Sequence, residues 1–304
     1  MKLADLGAAR LHELLRRGTL TLHTPPFVVR LRSDIARVGH DLLHLYPNFE
    51  LADEAGFADF HLEVNRVPGL RRWMKPMARF GSDGEAAFST LPAEQAFHMI
   101  EWGLNWAVTS SAHHFLLYHA AVLERDGQAL MLPAPPGSGK STLAAALAHR
   151  GWRLLSDELA LYDPQSRLVQ GMARPVNLKN AAISLIREFA PDAVMTAPVP
   201  DTAKGTLALM RAPGDSVARV LEPARPAWIV MPRYVADSSP LMVPMAKARM
   251  LLLLAEQAFN YEVHGRDGFN ATGDLVDACN CHEFSYSRLD DAVQAFDALA
   301  ARPS

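Results

Sequence analysis

Cysteine is nearly absent: 304 residues carry only Cys279 and Cys281. That count excludes a disulfide framework and a four-cysteine zinc site. The run Cys279-Asn280-Cys281-His282 has no fourth ligand nearby in sequence and reads as part of a buried strand. Long apolar runs are also missing. The nearest candidate, Leu241 to Ala255, is broken by Pro244, Lys247 and Arg249, so no bilayer span is expected. Met1-Lys2-Leu3-Ala4-Asp5 does not lead into the apolar core of a secretory signal, and the chain is expected to be soluble and cytoplasmic. A net charge of −3 gives no general attraction to nucleic acid. No repeat or low-complexity tract breaks the chain, and a 49% apolar share is enough to build a core.

Against this background one segment stands out. Ala134-Pro135-Pro136-Gly137-Ser138-Gly139-Lys140-Ser141-Thr142 follows a short apolar strand, Gln128 to Leu132. It precedes a run of helix formers, Thr142 to Arg150, that stops at Gly151. Strand, glycine loop and helix in this order make a phosphate-binding loop. Gly137, Ser138 and Gly139 would let backbone N–H groups close around a polyphosphate at the positive end of the helix. Pro136 and Thr142 belong to the same binding segment. Lys140 would reach the β- and γ-phosphates of ATP, and the Ser141 hydroxyl would ligate Mg²⁺. Ala134 stands where such loops usually carry a first glycine.

Two flanking elements narrow the chemistry. Trp152 to Ser156 reads as a strand delivering Asp157 and Glu158 to its carboxyl end, where ligands of open α/β sheets sit. One acid could take a hydroxyl proton and the other could hold Mg²⁺; a plain Walker-B pair of any ATPase is the alternative. Phe115 to Glu124 reads as a strand joined to the next by a tight turn at Asp126-Gly127, which places His119 beside the loop.

From His119 to Leu161 the chain resembles the HPr kinase/phosphorylase catalytic domain. The residues that carry the likeness are His119-Ala120, Pro136-Gly137-Ser138-Gly139-Lys140-Ser141, the link Arg150-Gly151-Trp152-Arg153-Leu154, and Asp157-Glu158. The family's second signature, E-x-R-G-x-G, finds only Leu168-Val169-Gln170-Gly171, without its Glu and Arg. The run Arg174-Pro175-Val176-Asn177-Leu178-Lys179-Asn180, with Thr202-Ala203-Lys204-Gly205, looks like HPr-kinase-related subfamilies, some of which modify ribosomally made peptides. The resemblance implies an α/β fold with a P-loop, HPr-kinase-like catalytic core over residues 113–304. A smaller α+β lobe over 1–112 would precede it.

It further implies an ATP- and Mg²⁺-dependent kinase that phosphorylates a hydroxyl, with a Ser of a peptide or small protein as acceptor. Asp157 would be the base, Glu158 the second acid and metal ligand, and His119 an active-site histidine beside Lys140. Arg174, Lys179, Lys204 and Arg249 are candidate substrate or phosphate contacts. A small-molecule hydroxyl kinase remains open, because the loop scaffold is also similar to that of PEP carboxykinase. So does a nucleotide-binding regulatory ATPase. A homo-oligomer is expected, with neither nucleic acid nor membrane as partner.

Outside this core the reading is coarser. Strands are expected at Leu20 to His23, Phe27 to Leu31 and Phe60 to Val64, with helices at Ile35 to Leu45 and Pro92 to Ser110, the latter capped by Thr90. Arg66, Arg71, Arg72, Trp73, Lys75 and Arg79 form a basic stretch that is either a solvated loop or a seat for an acidic ligand. Pro191 to Asp215 reads as a long loop beside the phosphate site, with Lys204 near the transferring group. Lys247 to Asn260 reads as a helix, Phe284 to Tyr286 as a last strand and Leu289 to Ala300 as a closing helix.

Overall fold

The computed structural model describes residues 1–69, 74–86, 88–135 and 137–301. Pro136, Arg71, Arg72 and Trp73 lie outside the described residues. The chain divides into two compact units, Met1–Ser111 with Val194–Arg211, and Ala112–Ala193 with Ala212–Ser304. The expected boundary at residue 112 keeps the rest of the chain together, whereas Val194–Arg211 joins the first unit.

The first unit opens with helix α1 (Ala8–Arg17), then strands β1 (Leu20–Thr24) and β2 (Phe27–Ser33), and helix α2 (Ala36–Leu45). Strands β3 (Phe60–Arg66), β4 (Met77–Ser82), β5 (Glu85–Ala86) and β6 (Leu91–Pro92) follow, then helix α3 (Ala96–Ser111). The sheet runs β1-β2-β3-β4-β5, with β6 also on β4; β2 and β3 are parallel and their other pairings antiparallel. Alternation in β2 and β3 sends Val29, Leu31, Leu62 and Val64 into the core. Helix α3 starts later than the sequence suggested, because Leu91-Pro92 pairs with Met77-Ala78 instead of entering the helix, so Thr90 caps nothing.

The second unit begins with β7 (Leu116–Arg125) and β8 (Gln128–Pro133), joined by Asp126-Gly127, both at positive φ. This is the left-handed pair that a two-residue hairpin requires. Helix α4 (Lys140–Ala148) follows, then β9 (Arg153–Ser156), β10 (Leu159–Asp163), β11 (Leu168–Gln170), β12 (Val176–Lys179) and helix α5 (Ala181–Phe189).

The chain then gives the first unit a hairpin, β13 (Val199–Thr202) and β14 (Gly205–Met210), where a structureless loop was expected. The apolar run Leu207 to Met210 is buried there. His44 Nε2 meets the Met195 carbonyl at 3.0 Å, and Arg211 Nε donates to the His44 carbonyl at 2.6 Å. These local bonds explain why the segment belongs with α2.

The second unit resumes with helix α6 (Gly214–Ala218), β15 (Arg225–Tyr234), β16 (Leu241–Pro244), helices α7 (Lys247–Glu256) and α8 (Tyr261–Ala278), β17 (Asn280–Tyr286) and helix α9 (Leu289–Ala300). Its sheet runs β11-β10-β7-β8-β15-β17-β16, with β9 also on β7. Strands β8, β15 and β17 are mutually parallel, with β7 antiparallel beside β8. Both faces are covered, so β8 reads as a continuous buried run. Cys279 and Cys281 are buried free thiols. No helix among the described residues is long and apolar enough to cross a membrane.

Candidate active site

Strand β7 positions the first group. Residues Ala120 to Arg125 pair with β8, while β9 pairs from Val122 onward and β10 pairs from His119 back. Between β9 and β10 the ladder is interrupted at Asp157-Glu158, so both residues leave the sheet opposite His119. Where β8 ends, the linker after α7 takes over: the His119 N–H donates to the Gln257 carbonyl at 2.7 Å. His119 is thus fixed on both sides, and its Nε2 lies 3.2 Å from a Glu158 carboxylate oxygen.

The segment after β8 is a loop that enters α4 at Lys140, with Gly137 at φ 87° and Gly139 at φ 89°. Side chains are strained in that region, which explains glycine at both positions. Ala134 is fully buried and is not among the positive-φ residues, so no glycine is needed where such loops usually have one. The loop is tied to the strands beside it. The Tyr234 N–H donates to the Ser138 carbonyl at 3.1 Å, and the Tyr286 hydroxyl donates to the Gly139 carbonyl at 3.2 Å. The first N–H groups of α4 have no acceptor inside their own helix, and the residues that carry them, Lys140, Ser141 and Thr142, line the loop's cleft.

That cleft, of about 280 Å³, is lined by His119, the loop from Gly137 to Thr142, Glu158 and the β12–α5 junction including Asn177, Lys179 and Asn180. Its lining is drawn from the second unit alone. Three polar atoms of its lining residues have no hydrogen-bond partner among the described residues: Ser138 Oγ, Lys140 Nζ and Asn177 Oδ1. Asp157, whose Oδ1 is also unpartnered, is buried next to Glu158 in sequence and is not itself part of the lining. Burial depresses the Lys140 ammonium, while Glu158 and Asp157 push it back up. Burial, then the neighbouring Glu158 charge, raises the Asp157 carboxyl; Lys140, the Asn177 N–H at 3.2 Å and the Ser141 hydroxyl oppose the shift. Glu158 goes the other way. Its burial is outweighed by the His119 hydrogen bond and by the charges of Lys140, His119 and Lys179. Two adjacent carboxylates with opposed shifts are a common basis for dividing acid and base roles.

Several expected contacts lie elsewhere. Lys204 belongs to the first unit, where its ammonium stands 5.2 Å from the Trp102 ring. Arg249 pairs with Glu283 at 2.8 Å on α7 and does not line this cleft. Arg174 is buried, its N–H turned to the Met172 carbonyl, and is not in the lining either. Lys179 is in it. Asn177, which orients Asp157 through its backbone, went unnoticed in sequence because only the charges of its run were weighed. Tyr234 and Tyr286 carried no sequence signal, since their role depends on strand order.

A magnesium ion suits this donor set. The Ser141 hydroxyl, the Glu158 carboxylate and the unpartnered Asp157 Oδ1 are hard oxygens. No cluster of three His, Cys, Asp or Glu among the described residues forms an all-protein cage. Mg²⁺ uses one or two carboxylates and completes its shell with water and substrate phosphates.

No family model and no curated protein matches the chain. Among solved structures, the Hpr(Ser) kinase/phosphatase from Coxiella burnetii is similar at 13% identity, covering 60% of this chain and 97% of that one, with a TM-score of 0.27. So loose a likeness says nothing about activity.

Proposed function

We propose that the second unit is an ATP- and Mg²⁺-dependent phosphotransferase acting on a hydroxyl, with a Ser of a peptide or small protein as acceptor. The observation that carries this reading is the buried Lys140 ammonium at a helix N-terminus, with no hydrogen-bond partner among the described residues, whose charge is felt by Glu158 and by Asp157 with its own unpartnered carboxylate oxygen. A lone buried charge costs free energy unless a ligand completes it. A polyphosphate would complete the first, and a hydroxyl proton the second.

In this mechanism the 137–142 backbone and Lys140 grip the β- and γ-phosphates, and Lys179 faces them across the cleft. Ser141 and Glu158 would hold Mg²⁺, which would supply charge neutralisation to the phosphates. The Asn177 N–H and the Ser141 hydroxyl aim Asp157. The acceptor oxygen bonds to the γ-phosphorus as the bond to the β-phosphate oxygen breaks. The acceptor proton passes to Asp157, and the electron pair leaves with ADP. His119 holds Glu158 in place through its Nε2 contact. The raised Asp157 carboxyl suits a base that works near neutral pH.

The test is incubation with γ-labelled ATP, Mg²⁺ and Ser-containing peptides encoded beside the gene, read by mass spectrometry. A gain of one phosphoryl group on peptide Ser, lost in Lys140→Ala, is the expected result. ADP formation that is equal with and without every acceptor would move the reading to a regulatory ATPase.

A further inference from the structure

A second and larger cavity of about 700 Å³ adjoins the loop and is not used by the mechanism above. It shares Pro135, Gly137 and Ser138 with the phosphate cleft, so the two spaces meet across the loop crest. Its remaining walls come from the carboxyl ends of β15 and β17, from β16 and from α7. Met231, Tyr234, Val243, Leu253 and Phe284 give it apolar surface, with the Arg249–Glu283 ion pair among its polar groups. Its volume lies in the range of about 300–1,000 Å³ usual for small-molecule sites, and mostly apolar walls with a few polar groups are their usual lining.

Sheet order decides what it can hold. Strand β8 delivers the loop; β7, which carries His119, and β9, which leads into Asp157 and Glu158, lie on one side of it, and β15 and β17 lie on the other. If the γ-phosphoryl stands at the acids, the acceptor hydroxyl must approach from their side. The opposite end of the same polyphosphate then points over Gly137 and Ser138 toward β15 and β17. We infer that this second cavity receives the nucleoside of the nucleotide, with its planar base against the apolar walls and its ribose at the loop crest. The groove also stands at the carboxyl ends of parallel strands, where ligands of open α/β sheets collect.

The inference rests on the phosphate-loop reading, and the experiment separates the two. Binding of Mg²⁺-ATP and of inorganic Mg²⁺-tripolyphosphate is measured by calorimetry on the full chain and on two variants that narrow the groove, Val243→Trp and Leu253→Trp. Val243 is 43% exposed, so a larger side chain there leaves the core alone. The wild type should bind ATP at least about tenfold more tightly than tripolyphosphate. Both variants should lose that preference while binding tripolyphosphate as before, with unchanged thermal unfolding. Equal affinities in the wild type, or an ATP preference that survives both variants, would overturn the inference. So would a variant that changes peptide KM and leaves ATP KM alone, since the groove would then belong to the acceptor. Failure of the wild type to bind tripolyphosphate at all would strike the phosphate-loop reading itself.

Discussion

Two ionic centres are buried in the second unit, and they differ in how their charges are met. Glu124 and Arg153 are each 3% exposed and are fully engaged. Glu124 accepts from Arg153 and from the Gly127 N–H at 2.6 Å, and Arg153 also donates to the Arg219 carbonyl at 2.7 Å. Lys140 and Asp157 are almost as deep, at 7% and 4% exposure, yet each keeps an unpartnered atom. Glu124 and Arg153 lie on the paired strands β7 and β9, whereas Lys140 opens helix α4 and Asp157 follows the end of β9. One pair is finished by the protein; the other is not. Under the proposed function, the contrast separates a charge kept for architecture from a charge kept for a ligand.

The widest split is expected between Lys140→Ala and Glu124→Ala. Lys140→Ala should lower phosphoryl transfer by about 10³-fold, in line with losing a preorganised charge contact to the transferring group. It should not lower the unfolding temperature of the ligand-free protein. Glu124→Ala should do the reverse, costing about 3–5 kcal/mol in urea unfolding because the Arg153 charge is left buried without its counter-charge. The KM for ATP of its folded fraction should not move. A Lys140→Ala protein that unfolds early and still phosphorylates would erase the distinction.

Asp157→Asn tests the same contrast more finely. Turnover should fall by about 10²-fold while ATP affinity stays within a few-fold, as expected when a general base is lost. Because the Asp157 carboxyl is raised, its neutral form is favoured by the fold. Its contribution to stability is complete below the ordinary carboxylate pKa and is lost as pH rises through the raised value. Asn, which never ionises, should therefore unfold at a higher temperature than the wild type at neutral pH. Equal losses of turnover and ATP affinity would make Asp157 a metal or structural residue instead.

The pH profile sharpens the pair of acids. Activity should fall with acid through a pKa displaced upward from the ordinary carboxylate range, as Asp157 becomes protonated. Glu158 is held low and contributes no limb in that window. The limb should vanish from the residual activity of Asp157→Asn. Its persistence there would assign the titration to another group.

The smallest expected effect concerns the loop's tether. Tyr286→Phe removes the hydroxyl that bonds Gly139 and should cost about 0.5–1.5 kcal/mol of stability, read by thermal unfolding, with ATP KM raised in step. A change in stability without one in KM would make the contact purely structural.

The loop and the two acids were legible in sequence because each depends on local chemistry, namely a strand, two glycines, a lysine and a helix in fixed succession. Other elements were hidden by weak propensity. Helix α8 contains Gly265, Gly268 and Gly273, and Gly265 sits at φ 53°, kinking it. What holds it is burial of Gly268, Thr272, Leu275 and Val276, which no local window shows. Helix α1 carries a readable signal in Leu11, Leu14, Leu15 and the left-handed Gly18. The hairpin at 199–210 was taken for a loop on the strength of its Pro and Gly content, although Leu207 to Met210 was an apolar run awaiting a partner. The misplacement of Lys204 follows from that. Arg249 is a candidate in sequence through its charge and a loose family likeness, and Glu283, which meets it, lies on a strand longer than its Phe284 to Tyr286 signal.

The clasp between Gly139 and Tyr286 also constrains how this sequence can change over generations. A methyl group on residue 139 would lie 2.7 Å from the Tyr286 oxygen, and the backbone there is already left-handed. Losing the hydroxyl first clears the space but not the backbone strain, so neither order of substitution gives a smooth path. Residues 139 and 286 are therefore expected to be inherited together, although 147 positions apart. Lineages that relax one should show the change at the other.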